Sequence, residues 1–85
     1  MSKEEEFKEA QERVKTLTKR PSNETLLELY SLFKQGSMGD VQGKRPGMLD
    51  LKGRAKYDAW AARKGMSKEA AMEAYVALVD RLVKG

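Results

Sequence analysis

Apolar residues recur at three- and four-residue steps early in the chain, which is the spacing of an amphipathic helix. They are Phe7, Ala10, Val14 and Leu17. Ser2 has the side chain of a helix N-cap, and the acidic residues at 4–6 favour the positive end of a helix dipole. The residue before a proline avoids helical dihedrals, so Pro21 limits the helix at its C-terminal side. The pattern predicts a first helix over roughly residues 3–18.

A second apolar stripe follows Pro21, after two residues that are suitable N-caps, Ser22 and Asn23. Glu24 then falls in the first turn of the helix. The stripe consists of Leu26, Leu29, Tyr30 and Phe33, and it is widened by Leu27 and Leu32. The pattern predicts a second helix that ends at Gln35-Gly36. Residues 36–50 are rich in glycine and have little periodicity, which is typical of a long connection, and such loops in small domains are usually functional or flexible.

Two further helices are predicted after this connection. The third begins near Leu51 or Gly53 and runs to about Lys64, with Gly65 as a natural residue to follow its C-terminus. The fourth begins at Ser67 and keeps the helical period almost to the end of the chain, through Met72, Tyr75, Val76, Val79 and Leu82. Short links favour antiparallel neighbours, whereas the long connection allows helices 2 and 3 to run parallel. The prediction is an all-α, four-helix up-down-down-up bundle with a long connection between helices 2 and 3.

Length and charge narrow the class of protein. The 85 residues accommodate a single domain, 1–85, and the seventeen Lys and Arg against thirteen Asp and Glu produce a net charge of +4. This charge favours an anionic partner, such as nucleic acid, a membrane surface or a phosphorylated small molecule, but it does not choose among them and is also compatible with solubility alone. Residues 1–6 have no apolar core for a signal peptide, and no apolar run approaches the roughly 20 residues that span a bilayer. We expect a cytoplasmic protein.

Catalysis and metal binding are disfavoured by the residue types. The chain has no His and no Cys, so the commonest general base, the strongest nucleophile and the usual transition-metal ligands are missing. The glycine-containing segment 39–45 departs from a phosphate-binding loop in its spacing, in having Arg45 where a hydroxyl residue is required, and in following no strand. We therefore expect no enzyme, no metal site and no cofactor.

A basic helical module that binds nucleic acid or protein is one alternative. The candidate cations are Lys15, Lys19, Arg20, Lys34, Lys52, Arg54 and Lys56. Nucleic-acid recognition motifs are absent, however, and basic and acidic residues are interleaved in helices 1 and 4.

Two cationic pairs make an anionic, amphipathic small molecule the other candidate ligand. Tyr30 and Lys34 lie four residues apart and share a helix face, and Lys52 and Lys56 repeat this spacing beyond the long connection. Each residue taken singly is also explained by core packing or by a solvated face. Their joint placement beside the connection favours binding of a phosphorylated ligand that has a flat or apolar portion.

These residues lie within a pattern that resembles the acyl-CoA-binding protein family. The resemblance runs from about Phe7 to Val83, and its most specific part is the segment from Arg45 to Trp60. The other matching pieces are Tyr30, Lys34-Gln35, Gly39-Asp40, Ser67-Lys68-Glu69, Ala71-Met72 and Tyr75. The family pattern commonly has tyrosine in place of Phe33 and tryptophan in place of Tyr57.

The resemblance implies a monomeric intracellular carrier and pool former that binds medium- to long-chain acyl-CoA esters reversibly, with no nucleic-acid partner. It implies contacts to the ribose 3′-phosphate from Tyr30, Lys34 and Lys56. It places the adenine near the turn Ser31-Leu32-Phe33-Lys34, where Phe33 supplies the aromatic face. Further ligand contacts are implied for Lys15, Lys52 and Tyr75, and by position Leu26 and Leu27 are candidates for the floor beneath the acyl chain.

Overall fold

The computed structural model describes residues 2–85, so Met1 of the predicted domain lies outside the described residues. Its four helices are α1 (Lys3–Val14), α2 (Asn23–Met38), α3 (Leu51–Ala61) and α4 (Lys68–Lys84). No strand occurs within residues 2–85. The predicted all-α class with four helices is confirmed.

Helix α1 begins at the predicted cap and ends earlier than predicted. The Ser2 hydroxyl accepts a hydrogen bond from the Glu5 N–H at 3.1 Å, and the Glu5 carboxylate accepts one from the Ser2 N–H, which makes a capping box. The predicted end at residue 18 is wrong, because the helix stops at Val14. The Thr16 hydroxyl donates to the Arg13 carbonyl at 2.7 Å, and the Thr16 N–H bonds the same carbonyl, so a tight turn replaces the helix.

Helix α2 continues beyond its predicted end at Gln35-Gly36. Ser22 is its N-cap, accepting from the Thr25 N–H at 3.2 Å. Gly36 lies inside the helix and is buried. A Cβ atom there would lie 3.1 Å from the Phe7 ring and 3.2 Å from Met72. This glycine therefore allows close helix packing, and the helix ends at Met38, before Gly39 with a φ of 83°.

Helix α3 begins at Leu51 because the Asp50 carboxylate accepts from the Gly53 N–H at 3.0 Å. It ends at Ala61 and not at the predicted Lys64. The Lys64 N–H bonds the Ala61 carbonyl three residues back, so the final residues form turns. Helix α4 starts after the predicted cap, Ser67, whose hydroxyl accepts from the Ala70 N–H at 3.1 Å.

The core lies where α4 packs against α1 and α2. Helix α3 packs against α2. The fully or nearly buried apolar residues of this cluster are Phe7, Ala10, Leu29, Leu32, Ala71, Tyr75, Leu78 and Val79. Trp60 is buried separately, and its indole N–H donates to the Gly39 carbonyl at 2.8 Å.

The side-chain contacts define the helix directions. Lys3 pairs with Glu73 at 2.6 Å and Arg13 pairs with Asp80, so α1 and α4 run in the same direction. Gly36 near the end of α2 packs against Met72 near the start of α4, so these two helices are antiparallel. Lys56 in α3 lies beside Tyr30 of α2, and Trp60 reaches Gly39 just after α2. Helices α2 and α3 are therefore parallel, as the up-down-down-up prediction requires.

Candidate functional site

An open cleft of about 580 Å³ lies between α2 and α3. Its lining combines apolar side chains with basic ones. Leu26, Leu27, Leu51 and Ala55 supply the apolar part. The remaining lining residues are Arg20, Asn23, Tyr30, Lys52 and Lys56.

The Tyr30 ring lines this cleft and has two lysine ammonium groups nearby. Lys56 Nζ lies 5.4 Å from the ring centre, and Lys34 Nζ lies 5.9 Å from it. Lys34 Nζ is also 5.3 Å from the centre of the Trp60 ring and 3.4 Å from Met38 Sδ. Aromatic faces attract cations at such distances, so both ammonium groups are positioned by rings rather than by carboxylates. They remain available to an incoming anion.

Lys52 lies in the first turn of α3 and lines the cleft. The backbone N–H groups at this helix start are partly used, because the Asp50 carboxylate already accepts from Gly53. At this end of α3, the group that we expect an anion in the cleft to contact is therefore the Lys52 ammonium group and not the backbone N–H groups. The lysine is exposed, so it can reorient towards a ligand without breaking an ion pair with any of residues 2–85.

A second, shallower depression of about 340 Å³ lies on the other side of Tyr30. Leu26 and Tyr30 line both hollows, so these two residues form the ridge between them. The second depression is lined by Val14, Lys15, Leu17, Pro21, Leu26, Leu29, Tyr30, Phe33 and Tyr75. The structure thus brings all three of Lys15, Phe33 and Tyr75 to one hollow adjoining the cleft.

Two of the side chains that line this second hollow pack against the Phe7 ring. Tyr75 packs edge-on against Phe7 with ring centres 5.1 Å apart, and Phe33 lies 6.1 Å from the same Phe7 ring. Burial raises the pKa of the Tyr75 phenol above its ordinary value, so the hydroxyl is protonated at neutral pH and can donate a hydrogen bond. Lys15 is exposed at the edge and pairs with Glu12 at 3.2 Å.

Three of the residues predicted to contact the ligand do not line either hollow. Lys34 lies beside the Tyr30 ring, whereas the side chains of the other two point away from both hollows. Leu32 is buried in the core. Ser31 is 1% exposed, donates its hydroxyl hydrogen to the Glu28 carbonyl at 2.8 Å, and accepts from Arg63 Nε at 3.1 Å. The Ser31 side chain thus connects α2 to the residues after α3. Contact of these two residues with an adenine would have to use their backbone.

Two residues of the long connection form hydrogen bonds with α3. Arg45 Nε and Nη2 donate to the two carboxylate oxygens of Asp58 at 2.9 and 2.7 Å, a bidentate pair. The Tyr57 hydroxyl donates to the Gly43 carbonyl at 3.0 Å. These bonds join the middle of the connection to α3.

Four cleft residues were not predicted from the sequence as ligand contacts. Leu51 and Ala55 lie four residues apart on α3, directly before Lys52 and Lys56 in the chain, so their spacing is a signal that was available. Arg20 and Asn23 reach the cleft through the turn around Pro21, where Arg20 Nη2 donates to Asn23 Oδ1 at 3.1 Å. No helical periodicity extends across that turn, so the sequence contained no comparable signal for this pair.

Within residues 2–85, no helix is long and apolar enough to cross a membrane. In the same part of the chain, no group of three or more acidic side chains is arranged to hold a metal ion.

Comparison with protein families places nearly the whole chain in one of them. The family model described as "Acyl CoA binding protein" matches residues 4–79. The "Acyl-CoA-binding protein homolog" of Drosophila melanogaster is 54% identical over 79 residues, covering 93% of this chain and 92% of that protein. The "Acyl-CoA-binding protein homolog 1" of Caenorhabditis elegans is 54% identical over 77 residues, covering 91% of this chain and 90% of that protein.

The fold agrees with solved structures. The crystal structure of Oryza sativa acyl-CoA-binding protein 2 superimposes with a TM-score of 0.92 at 48% identity, covering 96% of this chain and 89% of that one. The solution structure of the yeast acyl coenzyme A binding protein has a TM-score of 0.73 at 44% identity, covering 92% of this chain and 91% of that one.

Proposed function

This chain belongs to the acyl-CoA-binding protein family, and we propose that it binds medium- to long-chain acyl-CoA esters reversibly, as an intracellular carrier that maintains a pool of them. The observation that carries the proposal is the cleft between α2 and α3, because its lining combines apolar and basic side chains. An acyl-CoA ester has the same division, with an apolar chain at one end and a phosphorylated nucleotide at the other.

The nucleotide end is proposed to bind around Tyr30. In this proposal the Tyr30 hydroxyl and the ammonium groups of Lys34 and Lys56 contact the ribose 3′-phosphate, and their grouping around one ring supports it. Charge-assisted hydrogen bonds contribute about 1.5–3 kcal/mol each, so three such contacts are enough to orient the ligand. Phe33 is proposed to face the adenine, beside the backbone of Ser31 and Leu32.

The acyl chain is proposed to lie over Leu26 and Leu27. Leu51 and Ala55, across the cleft, extend the same apolar surface. Each methylene removed from water contributes roughly 0.8 kcal/mol at most, so chain burial increases affinity with chain length until the cleft is filled. Lys15, Lys52 and Tyr75 are proposed to contact the ligand between these two ends, from the hollows that adjoin Tyr30.

The mechanism is binding without a chemical step. The headgroup contacts orient the ligand, burial of the chain sets the tightness, and the bound ester is released unchanged. We propose that the protein acts as a cytoplasmic monomer with no cofactor of its own. The relatives do not support the alternative of a nucleic-acid- or protein-binding module.

Calorimetric titration tests the proposal directly. The protein is titrated with palmitoyl-CoA, free CoA and palmitate in one buffer. Tight one-to-one binding of the ester and much weaker binding of either half is the expected result, since each half occupies only part of the cleft. An ester that bound no better than free CoA would remove the acyl floor from the proposal, and absence of binding by all three would overturn the function.

A further inference from the structure

Met38 places a sulfur atom beside one of the two cations near the Tyr30 ring. It is the last residue of α2, one turn after Lys34, and its Sδ lies 3.4 Å from Lys34 Nζ. The same ammonium group lies 5.3 Å from the centre of the Trp60 ring and 5.9 Å from that of the Tyr30 ring. It forms no ion pair with a carboxylate of residues 2–85. The sulfur is therefore the hydrogen-bond acceptor that the described chain offers to this cation.

The side chain of Met38 is open to reagents in solution, since it is 44% exposed. Met48, in the connection before α3, is 79% exposed and lines neither the cleft nor the second hollow. Met66 and Met72 are partly buried and pack against the core. A dissolved oxidant therefore has access to two thioethers in residues 2–85, one beside Lys34 and one outside the proposed site.

We propose that Met38 is an oxidation site, and that its sulfoxide binds the Lys34 ammonium group and lowers the affinity for the CoA ester. A thioether sulfur is a weak acceptor, whereas oxidation converts the side chain into a polar one whose oxygen accepts hydrogen bonds. The inference rests on the proposed function, because there Lys34 contacts the ribose 3′-phosphate. It adds a chemical control of that contact, which the proposed function does not contain.

The oxidant of this reaction is hydrogen peroxide. The lone pair of the Met38 sulfur attacks one peroxide oxygen, and the S–O bond forms as the O–O bond breaks. The departing hydroxide takes the proton of the transferred oxygen and leaves as water. Sulfur loses two electrons and the peroxide gains them, so the products are one sulfoxide and one water molecule. Methionine sulfoxide reductases reverse the change.

The neighbouring groups make Lys34 the donor for the new oxygen. The Trp60 indole N–H is already bonded to the Gly39 carbonyl at 2.8 Å, whereas the Lys34 ammonium group already contacts the Met38 sulfur. A bond to the sulfoxide occupies one of the three N–H groups of the ammonium and restricts its rotation towards a phosphate. Competition by one hydrogen bond of this kind is expected to raise the Kd of the ester about two- to tenfold.

The experiment compares palmitoyl-CoA binding before and after treatment with peroxide. The reagent is removed, the oxidised methionines are identified by peptide mass spectrometry, and the ester is titrated by calorimetry. The Kd is expected to rise about two- to tenfold and to return to its first value after treatment with the two methionine sulfoxide reductases. An unchanged Kd with Met38 fully oxidised would overturn the inference. Oxidation of Met48 with Met38 left unreacted would overturn it as well.

Three variants assign the effect to one methionine, each being compared with itself before and after peroxide. In Met38→Leu the Kd is expected to stay constant, whereas in Met48→Leu it is expected to rise as in the parent. The reverse pattern would contradict the proposal. Met38→Gln carries an amide oxygen close to the position of the sulfoxide oxygen, so it is expected to bind the ester more weakly than Met38→Leu without any oxidant.

A ligand without the 3′-phosphate separates this effect from damage to the fold. Dephospho-palmitoyl-CoA offers no anion to Lys34 at that position, so its Kd is expected to be the same before and after oxidation of Met38. Equal losses for both esters would mean that the sulfoxide disturbs the end of α2 in general, and this would overturn the inference.

The contact between the sulfoxide and Lys34 is also measurable without an ester. A hydrogen bond to the ammonium group favours the protonated amine, which does not react with acetic anhydride, so acetylation of Lys34 is expected to slow after peroxide while that of Lys52 stays constant. Slower acetylation in a protein that never binds the ester would retain the contact and remove the proposed function. Normal ester binding with unchanged acetylation and Kd after oxidation would do the opposite.

Discussion

Lys56 Nζ in α3 lies 5.4 Å from the centre of the Tyr30 ring in α2. Lys34, one turn along α2 from Tyr30, approaches the same ring to 5.9 Å. Two cations from different helices therefore lie near one aromatic side chain that lines the cleft. This arrangement is the basis of the first two predictions.

Replacement of Lys56 by alanine is expected to weaken binding of every CoA ester. Loss of one charge-assisted contact corresponds to about 1.5–3 kcal/mol, or roughly ten- to a hundredfold in Kd. The ratio of affinities between two chain lengths is expected to stay as in the parent, because the floor is untouched. Calorimetry with two esters measures both quantities, and Lys64→Ala, an exposed lysine beyond α3, is the matched control. An unchanged Kd for Lys56→Ala would remove this lysine from the site.

Removal of the 3′-phosphate from the ligand is expected to weaken binding, as removal of the lysines that contact it does. A dephospho-CoA ester offers no anion to Lys34 and Lys56 at that position, so it is expected to bind about tenfold or more weakly than the CoA ester of the same chain. The loss of affinity caused by Lys56→Ala and the loss caused by removing the 3′-phosphate should also not be additive. Lys56→Ala is expected to affect the dephospho ester much less than the parent ester, and equal effects on both would place Lys56 on another part of the ligand.

Gly36 provides a test of the packing between α2 and α4. Gly36→Val introduces a branched side chain at a position where even a single added Cβ atom would lie 3.1 Å from Phe7 and 3.2 Å from Met72. Overpacking of this kind lowers the free energy of unfolding by about 1–3 kcal/mol. For a domain of this size, the Tm is expected to fall by about 4–8 °C for each kcal/mol. Thermal unfolding measures the change.

Ser37→Val is the control for the Gly36 variant. It introduces the same side chain at the next residue of α2, which is exposed. A surface substitution of this kind is expected to change the free energy of unfolding by less than about 0.5 kcal/mol. Similar decreases in the free energy of unfolding for the two variants would indicate that valine destabilises the helix itself. Packing against Phe7 and Met72 would then not be the cause.

Asp40 is expected to contribute to a loss of stability in acid. Its carboxylate accepts from the Gly65 N–H at 2.9 Å and from Gln35 Nε2 at 2.9 Å, and these bonds lower the pKa of Asp40 below its ordinary value. A carboxyl group with a lowered folded-state pKa stabilises the fold above its unfolded pKa of about 4, and this contribution disappears as the pH falls through the folded-state pKa.

The comparison for Asp40 uses denaturant unfolding from about pH 6 down to about pH 2.5. Asp40→Asn keeps an acceptor oxygen and has no proton to gain, so its stability is expected to fall less over this range than that of the parent. Glu9→Gln removes an exposed carboxylate from α1 and is expected to follow the parent curve. If the free energy of unfolding fell equally with pH in the parent and in Asp40→Asn, the loss of stability in acid would be due to other carboxylates. One of these is Asp58, whose pKa the Arg45 guanidinium lowers.

The sequence predicted the helix starts better than the helix ends. Ser2, Ser22 and Ser67 all cap the helices as their positions indicated, because the cap is a local bond between a side chain and the backbone three residues on. The helix ends depend on which groups form hydrogen bonds with the last backbone carbonyls in place of the next helical N–H. The Thr16 hydroxyl bonds the Arg13 carbonyl where α1 ends four residues early, and α2 continues through Gly36, where Phe7 and Met72 approach closely.

By itself the sequence determined four helical segments, the caps of three of them, the absence of His and Cys, and a family pattern with cations at fixed spacings. These properties are local, and the periodicity of a helix makes them readable. Only the tertiary structure decided which side chains share a hollow: it brought Arg20 and Asn23 to the cleft, turned Ser31 towards Arg63, and left Met48 and Leu49 in solvent. Those relationships depend on contacts between residues distant in the chain, and no period along the sequence records them.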